Sequence, residues 1–466
     1  MGIPSSVFPR PGGELHSDPA IREGIEAIAL WSEVILELEL PLLQENTGHP
    51  TRREGHELGY WQLLRGPFAA RLLTSTLVGR LPNGMAPTAL LLAAGKSGSL
   101  AFGSLLAGVY LVAYAAGQPL LGRVADRRGP ARTVLVGAGL ATAALAAIGL
   151  LGTGDTVLTL VLTIVAGVAN PPLEAVLRTL WPVIVPVGRD EVPFLRTAYA
   201  LDSGTQEAVY VVGPLLAAGL VACSPSLALI ATAALGLAGA LSLACSAPAQ
   251  TLRPVALKQG HWLGPLQSSA VRVALIAIAC AGVSNGAMRV AAVVQADEHR
   301  AGWMEGAMPA VLALSGVVGS LVYGTRSWPA SKLRQSITMA AVMAVAYIPF
   351  VVGVGPVPSV LLITVPGIFF GVYVCTTCLI LLETAPPGTS TEAFGWMIAA
   401  YSTGLAVGST LGGLTGGTYL LVMAGPVVTA LVLVAGIRWF KSADAKAPMD
   451  PASLAPGPRS PEGTRT

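Results

Sequence analysis

The chain has 466 residues, of which 53% are hydrophobic and only 11% are charged, with a formal net charge of +3 at pH 7. Soluble domains carry about 25% charged residues, because a compact globule needs a hydrated surface. This composition excludes an ordinary soluble globular protein, which would leave large apolar patches in contact with water. Most of the surface is therefore predicted to face lipid.

The first 66 residues form a leader that differs from the rest of the chain. Its apolar stretch at 21–43 is too acidic to span a bilayer, because five glutamates interrupt it: Glu23, Glu26, Glu33, Glu37 and Glu39. Two interpretations stay open, namely a cytoplasmic segment that is disordered or forms a surface helix, and an upstream region translated from a misassigned start. No small-residue cleavage site follows an apolar run, so no secretory signal peptide is predicted. A short amphipathic lead-in is predicted over Tyr60–Leu64.

Twelve apolar segments follow, each close to the ~20 residues that cross ~30 Å of hydrocarbon at 1.5 Å per residue. They lie near 68–94, 98–121, 133–152, 156–181, 197–222, 226–247, 271–295, 304–324, 336–354, 357–383, 395–415 and 418–439. In the eleventh span four glycines recur at every fourth position, which predicts a close-packing face: Gly404, Gly408, Gly412 and Gly416.

The two halves of the chain carry matching landmarks at an offset of 202 residues. Asn83-Gly84 of the first span corresponds to Asn285-Gly286 of the seventh, and Gly122 corresponds to Gly324. The sequence thus predicts an all-α membrane protein with twelve transmembrane helices in two pseudo-symmetric six-helix bundles, 67–247 and 271–440. A cytoplasmic linker at 248–270 joins them, a disordered cytoplasmic tail occupies 441–466, and a binding site is expected at the midplane between the bundles.

Arginine and lysine are concentrated in the loops on one side of the predicted spans. Under the positive-inside rule this side is cytoplasmic and so are both termini, which requires an even number of spans. The arginine- and alanine-rich composition is typical of a GC-rich bacterial genome. A multi-pass protein of a bacterial inner membrane is therefore predicted.

The loop after the second span reads Gly122-Arg123-Val124-Ala125-Asp126-Arg127-Arg128-Gly129-Pro130-Ala131-Arg132. It resembles the loop signature of the major facilitator superfamily, G-x-x-x-D-R/K-x-G followed by basic residues. The positions that match are Gly122, Asp126, Arg127, Gly129 and Arg132, whereas Ala131 departs where a second basic residue is common. The resemblance covers 67–440 and implies that fold and a secondary transporter.

The same residues predict a cytoplasmic gate. A carboxylate at a helix end can accept hydrogen bonds from the backbone N–H groups of a facing helix and pair with a nearby arginine. The pair Glu174 and Arg178, one helical turn apart in the fourth span, is expected to join Asp126 there. The alternative is that the loop arginines only set the topology, which would leave Asp126 and the glycines unexplained.

Two further elements are similar to transporters of this superfamily. Gly213-Pro214 in the fifth span resembles the glycine-proline element of its antiporters, and the run from Tyr199 to Asp202, with Glu207, is similar to actinobacterial facilitators of unassigned substrate. Thr163 stands in the fourth span where proton-coupled drug antiporters carry an arginine, so the usual arrangement for proton antiport is absent.

Ionisable side chains inside a span are costly, and each is therefore a functional candidate. The predicted substrate and proton pathway comprises six polar residues of the first, fifth and seventh spans: Arg80, Asn83, Asp202, Glu207, Asn285 and Arg289. Glu207 is the best single candidate, because burial disfavours its charged form and would let it take up and release a proton. The alternative is a structural ion pair, for instance Arg80 with Glu207.

These patterns favour export of a small amphipathic organic compound by alternating access, with or without proton coupling. No Walker-type phosphate loop or enzyme-like catalytic cluster is found, and the five cysteines lie in apolar stretches, so we predict no enzyme, no cofactor, no metal and no disulfide. The expected partners are a small-molecule substrate, protons and membrane lipids, with no nucleic acid, and the chain is expected to be a monomer. The alternative function is a non-transporting polytopic protein such as a lipid scramblase or receptor.

Overall fold

The structure is a computed structural model that describes residues 59–96, 99–186, 191–252, 263–328, 330–348, 355–415 and 419–444. The predicted leader up to residue 58, the middle of the predicted linker (253–262) and the tail from 445 onwards lie outside these ranges. All of the described residues belong to one compact unit, His56–Thr466.

The described residues form helices and no strand. The first half of the chain contains α1 (Tyr60–Leu64), α2 (Ala69–Lys96), α3 (Leu100–Arg128), α4 (Pro130–Leu151), α5 (Thr156–Val168), α6 (Leu173–Leu180), α7 (Glu191–Cys223), α8 (Pro225–Ala244) and α9 (Ala247–Thr251). The second half contains α10 (Ser269–Glu298), α11 (Trp303–Thr325), α12 (Lys332–Ala346), α13 (Pro356–Leu362), α14 (Thr364–Thr384), α15 (Ser390–Leu414), α16 (Tyr419–Ala435) and α17 (Ile437–Asp444). Short 3₁₀ turns lie at Pro182–Ile184 and Gly264–Gln267.

A helix or a pair of helices coincides with each of the twelve predicted spans. Within the described residues, eight of these segments are long and apolar enough to cross a membrane, and α16 is a shorter apolar helix. Helices are the expected form for such sequences, because a segment in hydrocarbon must satisfy its backbone hydrogen bonds internally. The prediction of an all-α membrane protein is confirmed. The last helix, α17, extends three residues past Lys441, where the tail was predicted to begin.

Local sequence signals set several helix boundaries. Five helices begin after a serine or aspartate whose side chain accepts a hydrogen bond from the N–H three residues on: Ser99, Asp155, Ser224, Ser268 and Ser331. The chain turns from α3 into α4 at Gly129, whose φ of 93° strains a residue with a Cβ.

The fourth span is not the single helix predicted over 156–181. It is divided into α5 and α6, because Pro171 and Pro172 have no N–H group to continue the helical ladder. Asn170 lies in this break, and its amide donates to Asn83 Oδ1 at 3.0 Å and to the Tyr110 hydroxyl at 2.7 Å. The break therefore directs a polar side chain towards the first span.

The two halves pack in similar ways. In the first half α2 packs on α7 and α8, and in the second half the corresponding α10 packs on α15 and α16. A Cβ at Gly84 would lie 2.7 Å from the carbonyl oxygen of Val209, and a Cβ at Gly286 would overlap the carbonyl oxygen of Leu405. Each Asn-Gly pair of the repeat thus places its glycine where two helix backbones are in direct contact.

The halves meet along two pairs of helices, α3 with α15 and α7 with α11, and α14 also touches α7. We call the side that carries Gly129 and Arg326 the motif face, and the side that carries Gly152 and Arg300 the opposite face. Hydrogen bonds near the motif face join the halves: Thr197 donates to Gly324 O at 2.8 Å, and Arg196 donates to Arg326 O at 2.9 Å. The short helix α1 adds a bond from the Tyr60 hydroxyl to Leu321 O.

Candidate functional site

A cavity of about 1260 Å³ lies between the two halves. Its walls come from α2, α3 and α7 on one side and from α10, α11, α14 and α15 on the other, and most of the lining side chains are apolar. It reaches from Arg123 and Glu392, near the motif face, to Gly306 and Thr410, near the opposite face. A space of this shape can hold a small organic molecule in contact with both halves.

Prolines inside three helices line this cavity: Pro119 in α3, Pro214 in α7 and Pro309 in α11. A proline within a helix removes the N–H that would bond the carbonyl four residues earlier, and it kinks the helix. Gly213, the other member of the predicted glycine-proline element, is buried, and a Cβ there would lie 2.8 Å from the Cα of Gly84. The element thus combines a close contact between α2 and α7 with a cavity wall.

The two asparagines of the repeat line the cavity, and each donates a hydrogen bond to a tyrosine hydroxyl, although the two tyrosines are not at corresponding positions of the repeat. Asn83 donates to the hydroxyl of Tyr114 at 3.1 Å, and Asn285 donates to the hydroxyl of Tyr401 at 3.0 Å. The oxygen of the Asn83 amide is engaged by Asn170. In contrast, Oδ1 of Asn285 is buried and has no hydrogen-bond partner among the described residues.

Glu207 and Arg289 are charged residues on opposite walls of the cavity. Glu207 is on α7, half-buried beside Gly316 of α11, and Arg289 is on α10 with its side chain exposed to the cavity. They interact electrostatically, yet in the described part of the chain neither makes a hydrogen bond or an ion pair within 4 Å. The cavity therefore contains a carboxylate and a guanidinium that are not directly joined.

Asp126 of the signature loop contacts the other half at the start of α15. Its Oδ1 accepts the N–H of Thr391 at 3.1 Å, and its Oδ2 accepts the N–H of Glu392 at 2.8 Å. These N–H groups belong to the first turn of α15, where backbone N–H groups have no acceptor within their own helix. The positive end of the helix dipole lies at the same place. Gly122 permits the approach, since a Cβ there would lie 2.7 Å from Thr391 O.

A second contact lies next to it and was not identified from the sequence. Arg123 donates from Nε to Oε2 of Glu392 at 2.9 Å and from Nη2 to Oε1 at 2.5 Å, a two-pronged ion pair across the halves. Trp396 also donates to Glu392, and Gly264, from the predicted linker, lies against the same carboxylate. The available sequence signal was an acidic residue three positions before the eleventh predicted span, on the side of the membrane where the loop arginines are concentrated.

The remaining members of the predicted gate do not join this contact. Arg127 and Arg132 are exposed on the motif face, and Gly129 forms the turn after α3. Gly324, which corresponds to Gly122 in the second half, also lies against the other half: it accepts a hydrogen bond from Thr197, and a Cβ there would lie 2.6 Å from the Cβ of Ala200. No acid accompanies Gly324 in its loop, so the two loops differ in their charged contacts.

Four charged residues form a buried cluster beside the cavity. Asp202 of α7 bridges two arginines, with Oδ1 at 2.6 Å from Arg80 Nη2 and Oδ2 at 2.8 Å from Arg178 Nε. Arg178 also pairs with Glu174 at 2.6 Å, one turn away on α6. The exposed fractions of the side chains of Arg80, Asp202, Arg178 and Glu174 are 1%, 0%, 1% and 7%. The two positive and two negative charges balance within one network.

This arrangement differs from the grouping expected from the sequence. Glu174 and Arg178 join Asp202 and not Asp126, and Arg80 pairs with Asp202 and not with Glu207. Of the six residues predicted to form a pathway, Asn83, Glu207, Asn285 and Arg289 line the cavity, whereas Arg80 and Asp202 are in the buried cluster. The cluster also touches the second half, because Arg178 lies over the ring of Phe394 at 5.7 Å.

The family sequence model described as Major Facilitator Superfamily matches residues 72–409, which is most of the chain. The chain belongs to the major facilitator superfamily. This confirms the resemblance that the loop after the second span indicated, and it makes the protein a membrane transporter. A search of curated protein sequences finds no match.

Solved structures of other facilitators share the fold. The human organic anion transporter MFSD10 (TETRAN) superposes with a TM-score of 0.59 at 15% identity, covering 80% of this chain and 99% of that one. A bacterial homologue of the iron transporter ferroportin in its outward-facing state gives 0.60 at 16% identity, with 80% and 99% covered. The facilitator FucP in its outward conformation gives 0.56 at 13% identity, with 80% and 98% covered. At these identities the likeness concerns the fold alone.

Proposed function

We propose that this facilitator exports a small amphipathic organic compound by alternating access. The observation that carries the proposal is a cavity between the halves that extends to the opposite face. Near the motif face, Asp126 and Arg123 of the first half bind α15 of the second half and hold the two halves together. A mostly apolar wall with few polar groups suits an amphipathic compound better than a sugar, since a sugar would leave many hydroxyl groups without partners.

The contacts on the motif face act as the gate in this proposal. Hydrogen bonds to a charged group contribute roughly 1.5–3 kcal/mol each, so the Asp126 and Glu392 contacts together can hold one conformation without making it permanent. Separating the halves on this side would expose the first turn of α15 to water, which can replace the carboxylate. The gate is asymmetric, because Gly324 supplies close packing to the other half without an acid in its loop.

Glu207 is the proposed coupling residue. In a cavity that water can enter from one side at a time, a half-buried carboxylate without a bonded cation exchanges a proton with whichever side is open. A cationic group on the substrate would compete with that proton for the same oxygens. Export of the compound in exchange for protons follows if binding of the two is mutually exclusive.

The proposed location is a bacterial inner membrane, with both termini and the motif face in the cytoplasm. The loop arginines of the motif face support this orientation, because positive residues are retained on the cytoplasmic side. In that orientation the cavity described here opens towards the periplasm, and the conformation is the one in which an exporter releases its substrate.

A comparison of bacterial strains tests the function. Overexpression of the chain should raise the tolerated concentration of some amphipathic compounds in a library at least about fourfold over a deletion strain. Glu207→Gln should abolish the increase, because it keeps the shape and removes the exchangeable charge. Glu305→Gln is the matched control, as Glu305 is exposed in the first turn of α11 and does not line the cavity.

Equal amounts of each variant in the membrane must be verified by immunoblot. If no compound distinguishes the deletion strain from the overexpressing strain, the exporter proposal fails. If Glu207→Gln protects as well as the unaltered chain, Glu207 has a structural role and coupling has to be assigned elsewhere.

A further inference from the structure

The charges of the cavity fall into two groups according to their partners. Arg123 and Glu392 satisfy each other through two short hydrogen bonds at the end near the motif face. Glu207 and Arg289 are not joined, although they face the same cavity. Because most of the cavity wall is apolar, few other polar groups are available to bind this carboxylate and this guanidinium. A ligand that carries a cationic group for Glu207 and an anionic group for Arg289 would gain binding affinity from each contact.

We propose that the cavity takes an amphiphile that carries both charges, with its cationic group at Glu207, its anionic group at Arg289 and its apolar part against the wall between them. This inference rests on the proposed function and specifies its substrate class. Guanidinium is suited to a carboxylate or phosphate, because it can donate two parallel hydrogen bonds. A carboxylate that has no bonded partner is the complementary site for an ammonium group.

Asn285 provides a third, independent indication of a ligand. Its side chain is buried and lines the cavity one helical turn before Arg289, and its Oδ1 has no partner in the described structure. A buried polar atom without a partner costs roughly 1–3 kcal/mol, so such atoms are uncommon unless something else binds there. A ligand N–H near the anionic group would fill this position.

The placement of the two charges also fits the mechanism. Glu207 belongs to α7 of the first half, and Arg289 belongs to α10 of the second half. A ligand with one charge can satisfy only one half, whereas a doubly charged ligand contacts both and neutralises the cavity before the halves move. The aromatic rings of Phe370 and Tyr401, which are 5.8 Å apart, offer an adjacent apolar surface.

Four forms of one dipeptide test the proposal. Phenylalanyl-leucine is zwitterionic, its N-acetyl form is anionic, its C-terminal amide is cationic, and the doubly blocked form is neutral. Binding of each to the full chain in lipid nanodiscs would be measured by calorimetry at neutral pH. We expect the zwitterion to bind at least tenfold more tightly than either singly charged form, and the neutral form to bind most weakly.

Two substitutions separate the charges. Glu207→Gln should weaken binding of the zwitterion and the amide at least tenfold and leave binding of the N-acetyl form unchanged. Arg289→Gln should weaken binding of the zwitterion and the N-acetyl form at least tenfold and leave binding of the amide unchanged. Glu305→Gln and Arg300→Gln, both at exposed positions outside the cavity lining, are the matched controls. Glu207→Asp and Arg289→Lys, which retain the charges, should keep the order of the four forms.

Two results would overturn the proposal: the neutral form binds as tightly as the zwitterion, or the zwitterion does not bind at all. Both results are measured on the unaltered chain, so they stand even if a variant proves unstable. Binding is measured without transport, so the two proposals fail separately. If the four forms bind in the expected order of affinity but the deletion and overexpressing strains tolerate every compound equally, the transport proposal is wrong and the ligand class stands. If Glu207→Gln abolishes the increase in tolerated concentration but the four forms do not bind in the expected order of affinity, the ligand class is wrong and the export proposal stands.

Discussion

Asp202→Ala is expected to lower the free energy of unfolding by about 3–5 kcal/mol, the range for removing one partner from a buried ion pair. The substitution leaves Arg80 and Arg178 fully buried with one carboxylate, Glu174, for two positive charges. The melting temperature of the purified protein in detergent, followed by fluorescence-detected gel filtration, measures the effect. A folded fraction too small to purify would be the extreme of the same result.

The control and the compensating variant make this test specific. Asp297→Ala removes an exposed aspartate near the end of α10 and should change stability by less than about 0.5 kcal/mol. Asp202→Asn combined with Arg80→Met removes one charge of each sign and leaves the pair of Arg178 with Glu174. It should be more stable than Asp202→Asn alone, because the charges balance again. Equal stability of Asp202→Ala and Asp297→Ala would contradict the assignment of a bonded four-charge network.

Gly408→Leu is expected to prevent normal packing of α15 on α10, with a loss at or above the upper end of the ~1–3 kcal/mol range for overpacking. A Cβ at Gly408 would overlap the carbonyl oxygen of Val283, and one at Gly404 would overlap that of Ala279. Backbone atoms cannot rotate away as a side chain can, so the helices would have to separate. The yield of monodisperse protein and its melting temperature measure the effect.

The matched control lies on the same helix. Gly413 has no atom within 4 Å of a Cβ placed there, so Gly413→Leu should leave the yield and the melting temperature close to those of the unaltered chain. Comparable losses from both substitutions would show that the helix tolerates no bulk anywhere, and that the glycine face has no special role.

The positions of the helices could be predicted from the sequence because the requirement that lipid imposes is local. Each span needs enough apolar length, which hydropathy measures directly. The prediction was less accurate at helix ends. It ended the second span at residue 121, where the apolar run stops, although α3 continues to Arg128 because helical hydrogen bonds persist beyond the hydrocarbon. The break at Asn170 was signalled by Pro171 and Pro172.

The partners of the site residues could not be predicted in the same way. Asp202 and Glu207 are five positions apart, so they point about 140° apart around α7, one towards α2 and α6 and the other into the cavity. The sequence shows that the two directions differ, yet it does not show which of them faces Arg80. The contact of Asp126 with Glu392 joins residues from different halves of the chain. Such a contact depends on the packing of whole helices, which no short pattern encodes.

Interspin distances across the two halves, on both faces, test the central claim of alternating access most directly. One labelled pair would be Cys223 and Trp303→Cys at the ends of α7 and α11 on the opposite face, and the other Glu191→Cys and Arg326→Cys on the motif face, with the remaining cysteines replaced by serine. Asp126→Asn weakens the gate, because a neutral amide binds the start of α15 less strongly than a carboxylate. We expect it to increase a population in which the motif-face distance lengthens and the opposite-face distance shortens together. A single unchanged distance on each face, in both the unaltered chain and Asp126→Asn, would contradict the account.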